Sequence, residues 1–582
     1  MAAVTTEQPL TTPWTAEAGP DNALPEYPRP QLVRERWSNL NGIWAYGTGK
    51  SGYDERILVP YPPESALSGI GRHDDRMWYR RVFEIPGDWR GHHVLLHFGA
   101  VDQTAEVWVN NQRVGAHKGG FTSFSFDITA ALRRSGTQEI VVGAEDRGDI
   151  DPFPLGKQRN TPGGILYTGS SGIWQTVWLE PVPSVHVEKL DITSDLTGFS
   201  LLPRVSGVHI GRVEAVVSQP QGNEVARKSA NAHETLRLPV PEPRLWTPDD
   251  PYLYDLTVRL IGTDGHLVDE VRSYAGLRTI GTVPDEQGRP RIALNGEITF
   301  LHGPLDQGFW PDGLHTAPTD EALKFDLDKT KELGFNFVRK HVKVEPARWY
   351  YWTDKLGLLV WQDMPSLVVS FDGPAGPAPD PVPEAKAHFE TELRELIDQL
   401  RSVTSIVGWV PFNEGWGEYD TARIAALVAE LDPTRMVNAD SGVNCCFSRP
   451  DSGAGDIYDD HTYVGPGAPD LRDGRVAVAG EYGGLGLVVE DHLWPGPPQA
   501  YEMTGSPEEL TARYVQVSEV LERVVREKGL SGAIYTQTID VENEVNGFFT
   551  YDRRVLKMDL AAVAARNRAV IEAGRDGHRR DA

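Results

Sequence analysis

The 582-residue sequence predicts a multidomain protein with a jelly-roll β-sandwich, an immunoglobulin-like β-sandwich and a (β/α)8 TIM barrel, in that order. The length exceeds what one hydrophobic core supports, so about two to four domains are expected. Short strand-like runs at close spacing fill the first half of the chain. After about residue 282, apolar runs alternate with segments of helical periodicity. The predicted domains are an N-terminal arm (1–30), the jelly roll (31–183), the immunoglobulin-like domain (184–281) and the barrel (282–582).

The first two segments contain the features of an extended arm and a sandwich. Residues 1–30 are rich in Pro, Thr and Ala and lack periodicity. Ala105–Val109 is rich in β-forming residues and is followed by Asn110 and Asn111, a pair typical of a tight turn. Many short strands without a convincing helix predict a β-sandwich. The other predicted strands are Val94–Phe98, Phe121–Ile128, Glu139–Ala144 and Ile173–Leu179.

The second β domain is about 100 residues long, a size that suits an immunoglobulin-like sandwich. Leu253–Leu260 is its clearest strand, and the Pro-rich segment Val240–Pro243 is expected to form a loop.

The barrel is predicted from alternating strands and helices, with no helix visible after the fifth strand. The predicted strands are Ile298–His302, Asn336–His341, Leu358–Trp361, Ile406–Phe412, Met436–Ala439, Asp456–Tyr463, Val476–Gly480 and Gly532–Gln537. Helices are expected over Asp320–Leu333, around Trp349–Leu356, over Phe389–Leu400, near 419–431, over Leu510–Val524 and near 558–574.

The composition restricts the classes of partner. With 57 Lys and Arg against 83 Asp and Glu, the net charge of −26 argues against nucleic acid and against an anionic membrane surface. No N-terminal secretory pattern and no run of 18 apolar residues is present, so a cytoplasmic location is expected.

Cys445 and Cys446 are adjacent, and because a bond between neighbours is strained, we expect two reduced, buried thiols. No metal-ligand spacing appears, so no metal or cofactor is expected.

The chemistry is expected at the carboxyl ends of the barrel strands, where such barrels carry their active sites. Glu414 follows the apolar strand at 406–410, and Glu481 follows the apolar run at 476–479. A facing pair of carboxylates is what cleavage of a glycosidic bond requires. One protonates the leaving oxygen, and the other attacks the anomeric carbon or activates water. Their mutual repulsion can keep one of them protonated near neutral pH.

The distance between the two carboxylates decides the stereochemical outcome. About 5–5.5 Å gives retention through a covalent intermediate, and roughly 6.5–9.5 Å gives inversion. The sequence does not supply this distance.

These segments resemble known motifs. Gly408–Glu414, with the sequence GWVPFNE, resembles the strand-four Asn-Glu signature of retaining clan A glycosidases. Gly480–Gly484 (GEYGG) is similar to the nucleophile segment of glycoside hydrolase family 2, which includes β-galactosidases, β-glucuronidases and β-mannosidases. The resemblance spans about residues 31–575 and also includes Trp78–Arg81, Val107–Asn110, Ser171–Gln175, Leu245–Pro248, Pro251–Tyr254 and Leu333–Arg339.

The resemblance implies a role for individual residues. Glu414 is expected as the general acid/base and Glu481 as the nucleophile of a retaining, exo-acting enzyme. Asn413 would hydrogen-bond the sugar hydroxyl beside the anomeric centre. Tyr463 would orient the nucleophile, and Arg339 would keep it ionised. The remaining substrate-binding candidates are Asp306, His341, His461 and Gln537.

The identity of the sugar is less constrained. β-Glucuronidases of this family read the substrate carboxylate with an Asn-x-Lys motif after strand eight. The matching stretch here, Glu544–Phe548, carries Glu544 and Asn546 instead and disfavours an acidic sugar. Tyr535 replaces a Trp common in the family. A neutral sugar remains, with a β-D-galactoside first and a β-D-galactofuranoside or α-L-arabinofuranoside as alternatives. The Gly- and Pro-rich loop 484–507, with Trp494 and Tyr501, is expected to wall the pocket.

Other functions and residue roles stay open on the sequence alone. A non-catalytic carbohydrate-binding protein is the alternative from another class, and an inverting hydrolase or a transglycosylase is the alternative on the same barrel. Glu418 is expected to be an exposed acid at a helix start, and Glu542 and Glu544 are expected to be loop charges. The oligomeric state is not readable, although the β domains offer surfaces that would suit a homo-oligomer.

Overall fold

A computed structural model of the protein describes residues 10–208, 211–368 and 376–575. The first sandwich packs a six-stranded sheet, in the order β3-β2-β4-β10-β7-β8, against a four-stranded sheet, β1-β14-β5-β9. Inward-facing side chains of both sheets form one core around Trp44, Tyr79 and Leu96. Its strands are β1 (Ser38–Asn39), β2 (Gly42–Gly47), β3 (Glu55–Val59), β4 (Arg76–Phe83), β5 (His93–Phe98), β6 (Val101–Asp102), β7 (Thr104–Val109), β8 (Gln112–Lys118), β9 (Phe124–Asp127), β10 (Gln138–Glu145), β11 (Gln158–Arg159), β12 (Tyr167–Thr168), β13 (Gly172–Ile173) and β14 (Val177–Val182).

The predicted Asn-Asn turn joins β7 to β8. Asn110 and Asn111 have φ values of 50° and 66°. Asn tolerates the left-handed region better than most residues, which is why this pair closes the hairpin.

The second sandwich follows directly. It packs a sheet in the order β15-β16-β19 against a sheet in the order β18-β17-β20-β21. Its core includes Phe199, Leu201, Val258 and Val271. The strands are β15 (His186–Asp195), β16 (Gly198–Ser206), β17 (Arg212–Ser218), β18 (Glu224–Ala230), β19 (Leu236–Pro239), β20 (Tyr254–Ile261) and β21 (Leu267–Ala275).

A small antiparallel sheet closes the bottom of the barrel. It consists of β22 (Ile280–Pro284), β23 (Pro290–Leu294) and β24 (Glu297–Ile298). Ile292 and Leu294 share a core cluster with residues at the start of barrel strands, such as Leu301 and Phe337. This end is therefore sealed with apolar side chains, and the opposite end is left for polar groups.

The barrel is an eight-stranded parallel sheet in the order β29-β28-β27-β26-β25-β34-β31-β30. Between β29 and β30 the described residues show no ladder. This seam is bridged by hydrogen bonds between Val437 and Asp456, from Asp456 N to Val437 O (2.8 Å) and from Val437 N to Asp456 Oδ2 (2.8 Å). The strands are β25 (Leu301–Asp306), β26 (Phe337–Lys340), β27 (Leu359–Asp363), β28 (Ile406–Val410), β29 (Met436–Val437), β30 (Ile457–His461), β31 (Val476–Gly483) and β34 (Gly532–Thr536), with β32 (Leu485–Gly486) and β33 (Glu502–Met503) in a loop above them.

Helices cover the outside of the barrel. Their bounds are α1 (Asp320–Glu332), α2 (Ala347–Leu356), α3 (Pro383–Leu400), α4 (Thr421–Leu431), α5 (Pro507–Lys528) and α6 (Leu560–Arg575). The Thr319 and Ser506 side chains cap α1 and α5 by accepting from Ala322 N (3.1 Å) and Glu509 N (3.2 Å). The chain between β29 and β30, all of it described, forms no helix, as the sequence pattern indicated. None of the helices in the described ranges has the length and hydropathy needed to cross a bilayer.

The predicted fold class is confirmed: two sandwiches precede the barrel, and the barrel strands follow in the predicted order. The exact domain limits stay a prediction. One strand is displaced, since the first barrel strand begins at Leu301 and ends at Asp306. His302 therefore lies at the start of that strand, where its Nε2 is 3.2 Å from Asn567 Oδ1.

Two expectations about single residues are wrong. Cys445 and Cys446 are joined in a disulfide, and Cys446 is exposed. The pair is therefore not the two reduced, buried thiols that the adjacency of the cysteines predicted. Glu418, which was expected to be exposed, is buried. Its carboxylate accepts from the Thr421 hydroxyl and from Arg449 N (2.7 Å).

Candidate active site

Glu414 and Glu481 face each other at the carboxyl end of the barrel. Glu414 follows β28 and Glu481 lies within β31, and their side chains are 9% and 7% exposed. One carboxylate oxygen of each and one ring nitrogen of His461 all lie within 4.8 Å of one another. This separation is near the about 5–5.5 Å of retaining glycosidases and shorter than the inverting range. The arrangement could therefore act on both sides of a single acetal carbon.

The surroundings of Glu481 favour its ionised form. Its Oε2 accepts from the Tyr463 hydroxyl at 2.5 Å, and its Oε1 accepts from Arg339 Nη1 at 3.3 Å. Burial alone would raise the pKa of Glu481, but the positive charges of His461 and Arg339, with the Tyr463 hydrogen bond, lower it to about 2. An ionised carboxylate in this position is suited to nucleophilic attack.

The surroundings of Glu414 are different. His461 Nδ1 lies 2.8 Å from Glu414 Oε1, and the backbone N–H of Glu414 donates to Ser441 O at 2.8 Å. Glu414 has φ +50°, so the chain turns sharply where the carboxylate enters the pocket. Cys445 Sγ lies 3.5 Å from the same Oε1, which brings the disulfide to the edge of the pocket.

Arg339 connects the residues around the nucleophile. Its guanidinium is fully buried and donates to both oxygens of Asp363, at 2.9–3.1 Å, and to Asn413 Oδ1 at 2.8 Å. Asn413 is thereby oriented, and its Nδ2 has no hydrogen-bond partner among the described residues. A buried donor without a partner is expected to bind an incoming acceptor, such as a sugar hydroxyl.

His341 lies beside this cluster. Its Nδ1 is 3.0 Å from Asp363 Oδ2. Burial lowers the pKa of His341 well below its usual range, and the nearby Lys157 adds to the effect. His341 is therefore neutral and donates its Nδ1 proton to Asp363.

Asp306 and Gln537 are buried at the same end of the barrel but are bonded to protein groups. Asp306 pairs with Lys340 Nζ at 2.9 Å and accepts from Gly308 N at 2.9 Å. Gln537 accepts from Gln307 Nε2 at 2.6 Å and donates to Asn546 Oδ1 at 2.7 Å. These contacts indicate that Asp306 and Gln537 support the wall of the pocket rather than contact a ligand directly.

The first sandwich supplies two residues that the sequence did not indicate. Tyr167 donates to Glu544, and Gln307 Nε2 donates to the Tyr167 hydroxyl at 2.7 Å. Lys157 Nζ lies 4.0 Å from Glu544 Oε2 and 5.8 Å from the Trp416 ring centroid. No local pattern indicates that Lys157 and Tyr167 reach Glu544, which lies 377 positions beyond Tyr167 in the chain.

Glu542 and Glu544 lie in the loop after β34, as expected, and both are buried. Glu542 Oε1 accepts from Thr168 N at 2.8 Å. Both carboxylates thus lie where the sandwich contacts the barrel.

The loop 484–507 reaches over the pocket through Tyr501. The Tyr501 ring stacks on Tyr463 with centroids 3.6 Å apart and an interplanar angle of 1°. Burial raises the pKa of Tyr501, and the carboxylates of Glu414, Glu544 and Glu481 raise it further. Trp494 packs edge-on against Tyr551.

Glu414, His461 and Glu481 form a compact triad in which His461 Nδ1 lies 2.8 Å from Glu414 Oε1 and 3.6 Å from Glu481 Oε2. The 2.8 Å separation of Nδ1 and Glu414 Oε1 is that of a hydrogen bond, so the two atoms can share one proton.

Three family models match successive parts of the chain. They are the sugar binding domain of the glycosyl hydrolases family 2 at residues 37–145, the family 2 model itself at 204–278, and the family 2 TIM barrel domain at 315–455. Together they match more than half of the chain.

The chain is also similar to named relatives and solved structures. A β-galactosidase of Thermoanaerobacter pseudethanolicus is 28% identical over 78% of this chain and 60% of its own length. A β-glucuronidase of Bacteroides fragilis is 26% identical over 69% of this chain and, again, 60% of its own length. The chain thus spans under two thirds of both relatives. A β-D-glucuronidase structure from Dictyoglomus thermophilum shares the fold, with a TM-score of 0.75, 20% identity and coverage of 93% and 98% of the two chains.

Proposed function

The chain belongs to glycosyl hydrolase family 2, and we propose that it is a retaining exo-glycosidase that removes a terminal neutral sugar, with β-D-galactosides as the first candidate. The observation that carries the proposal is the approach of the Glu414 and Glu481 carboxylates to within 4.8 Å. Glu481 is the nucleophile and Glu414 the general acid/base, in a double displacement.

The two steps follow from the contacts of each residue. Glu481 attacks the anomeric carbon while Glu414 protonates the leaving oxygen, which gives a glycosyl-enzyme ester. Water then attacks the ester, and Glu414 accepts its proton. Asn413 Nδ2, which has no partner among the described residues, binds the hydroxyl next to the anomeric centre. Arg339 and Tyr463 orient Glu481.

The preference for a neutral sugar is supported by Glu544. Its backbone pairs with that of Gln499, two residues before Tyr501, and the Tyr501 ring stacks on Tyr463, which donates to Glu481. A negative charge on the substrate would be repelled there, whereas hydroxyl groups would donate to it. Tyr501 and its loop close one side of the pocket and support exo cleavage.

The proposal is tested by turnover of nitrophenyl glycosides, with galactopyranosides, galactofuranosides and arabinofuranosides as parallel arms. NMR of the first product should show retention of the anomeric configuration. Glu481→Ala should abolish turnover, and azide should restore it with an inverted glycosyl azide as product. Inversion by the wild type would contradict the double displacement. Binding without turnover of any glycoside would favour the carbohydrate-binding alternative.

A β-glucuronidase is the second candidate because Lys157 offers a cation at the edge of the pocket. The two candidates predict opposite effects of charge removal. If the sugar is neutral, Glu544→Gln should lower kcat/KM for the galactoside by about tenfold, the loss of one hydrogen bond to a charged group. If the sugar is acidic, Lys157→Met should abolish glucuronide turnover, and Glu544→Gln should increase it.

A further inference from the structure

We propose that His461 is a positioning residue that stores the proton Glu414 delivers, and that Ser441 and Asp459 fix the ring of His461 in the tautomer this requires. The proposal rests on the proposed function of Glu414 as general acid/base. In this proposal a buried chain of hydrogen bonds, the relay, serves the general acid/base. The chain runs from Asp459 through Ser441 and His461 to Glu414.

The relay is continuous in space. His461 Nδ1 lies 2.8 Å from Glu414 Oε1, and His461 Nε2 lies 2.8 Å from Ser441 Oγ. Ser441 Oγ donates to Asp459 Oδ2 at 2.5 Å, and Asn438 Nδ2 donates to the same oxygen at 2.6 Å. All four members of the relay are buried, so their hydrogen bonds do not compete with bulk water.

The direction of these bonds determines which nitrogen titrates. Because the Ser441 hydroxyl donates to Asp459, its oxygen accepts from His461, and Nε2 must carry a proton. The neutral form of His461 is then the Nε2–H tautomer, with its free lone pair on Nδ1. The proton that His461 gains or loses is the one between Nδ1 and Glu414.

The charged groups around the ring favour its protonated form. Glu414 and Glu481 contact Nδ1 at 2.8 and 3.6 Å, and Asp459 approaches Nε2 at 3.9 Å. Burial alone would lower the pKa of His461, but these three carboxylates raise it to about 9. Further ionisable groups that interact with the ring are Asp363, Asp440, Asp460 and His341.

One proton is enough for both chemical steps. In the resting enzyme it lies on Nδ1 and is shared with the Glu414 carboxylate. During glycosylation it moves through Glu414 to the leaving oxygen as the bond to the anomeric carbon breaks, and His461 becomes neutral. During deglycosylation Glu414 takes a proton from the attacking water and shares it with His461. The ion pair and the neutral pair contain the same number of protons, so the cycle balances.

The test is the pH dependence of kcat/KM in His461→Gln. The cation beside Glu481 is lost, so the acid limb, which reports ionisation of the nucleophile, should move to higher pH. Glu414 must hold the proton without help, so the basic limb should move to lower pH. Each limb should shift by about one pH unit, the lower end of the effect of an adjacent charge. Unchanged limbs with reduced kcat would overturn the proposal.

Two further variants separate proton storage from packing. Ser441→Ala should shift both limbs of the pH profile in the same directions as His461→Gln, but by less. The imidazole ring is kept in this variant, and only the hydrogen bond that fixes its tautomer is lost. Asn444→Ala is the matched control, since Asn444 bonds to the backbone of His461, at 2.8 and 2.9 Å, rather than to its ring. It should leave both limbs in place. Circular dichroism of each variant checks that it folds.

A second readout does not depend on activity. Nitrogen-15 NMR of histidine-labelled enzyme over pH 6 to 10 should show Nε2 of His461 protonated throughout, and Nδ1 losing its proton near pH 9. In Glu414→Gln the titration of Nδ1 should move to lower pH, because one carboxylate partner is lost. An Nδ1–H tautomer would overturn the relay. If the wild type hydrolyses no glycoside but this titration is seen, the proposed function fails while the proton-sharing pair stands.

Discussion

Glu414 and Glu481 are chemically identical side chains that the protein places in different surroundings. Glu481 contacts a guanidinium and a phenol, both of which donate to it. Glu414 contacts an imidazole that can either give or take a proton. A carboxylate surrounded by fixed donors stays ionised, and a carboxylate paired with a titrating base can exchange its proton. For these two residues, this difference is what separates the nucleophile from the acid/base in the proposed reaction.

Glu414→Ala should distinguish the acid role by leaving group. Substrates with poor leaving groups need protonation and should lose about 100-fold or more in kcat/KM, whereas activated dinitrophenyl glycosides should lose far less in the glycosylation step. The measurement is a series of aryl glycosides of increasing phenol pKa. Equal losses of kcat/KM across the series would show that Glu414 is not the general acid.

Among the elements, several barrel strands each deliver a polar group to the same end of the sheet. β26 supplies Arg339, β27 supplies Asp363, and β31 supplies Glu481. The other end is sealed by apolar residues of β22 and β23. The loop above β31 then adds Tyr501, which stacks on Tyr463 and narrows the opening.

Tyr501→Ala should open this side of the pocket. Aromatic pairs contribute about 0.5–1.5 kcal/mol, so kcat/KM for a small glycoside should fall by about 2- to 13-fold as Tyr463 loses its support. Tyr501→Phe keeps the stack and should retain most activity. Met503→Ala, an exposed change in the same loop, is the matched control. A Tyr501→Ala enzyme with unchanged kinetics would show that the stack does not order the site.

Across the molecule as a whole, the first sandwich and the barrel share buried charges. Glu542 accepts from Thr168 N, and Glu544 accepts from Tyr167 and lies near Lys157. The pocket is therefore complete only when the first sandwich is docked on the barrel. Burial raises the pKa of Glu542 from 4.5 to about 7.

Glu542→Gln should stabilise the protein at high pH. Because the folded pKa lies above the unfolded one, a penalty grows as pH rises from 4.5 to about 7 and then stays constant. A pKa shift of this size lowers the free energy of unfolding of the wild type by about 3 kcal/mol at pH 8. The Tm of the variant should therefore rise relative to the wild type between pH 5 and pH 8. Glu519→Gln, at an exposed carboxylate within α5, should show no such trend. An equal Tm difference at both pH values would contradict the burial argument.

Local sequence pattern was sufficient to predict the order of the domains and the two segments that carry Glu414 and Glu481. Strand and helix periodicity are local properties, and a barrel of known hand and order brings the carboxyl ends of its strands to one rim. Arg339 and Tyr463 were likewise proposed because they lie at strand ends, and both side chains contact Glu481. The first barrel strand was misplaced by a few residues because Phe300, Leu301 and His302 form one run of buried residues that does not mark where pairing begins.

The packing of loops and elements within the barrel, by contrast, sets the distance between the two carboxylates, the position of the disulfide at the pocket edge and the burial of Glu418. It also links His461 through Ser441 to Asp459. The packing of the first sandwich against the barrel contributes to the burial of Glu542 and Glu544. It also joins Lys157 and Tyr167 to the barrel. These contacts bring together side chains from separate elements or loops, and their distances depend on how whole layers pack. The pattern of side chains along a chain records which face of an element is buried, but not which distant group lies against it.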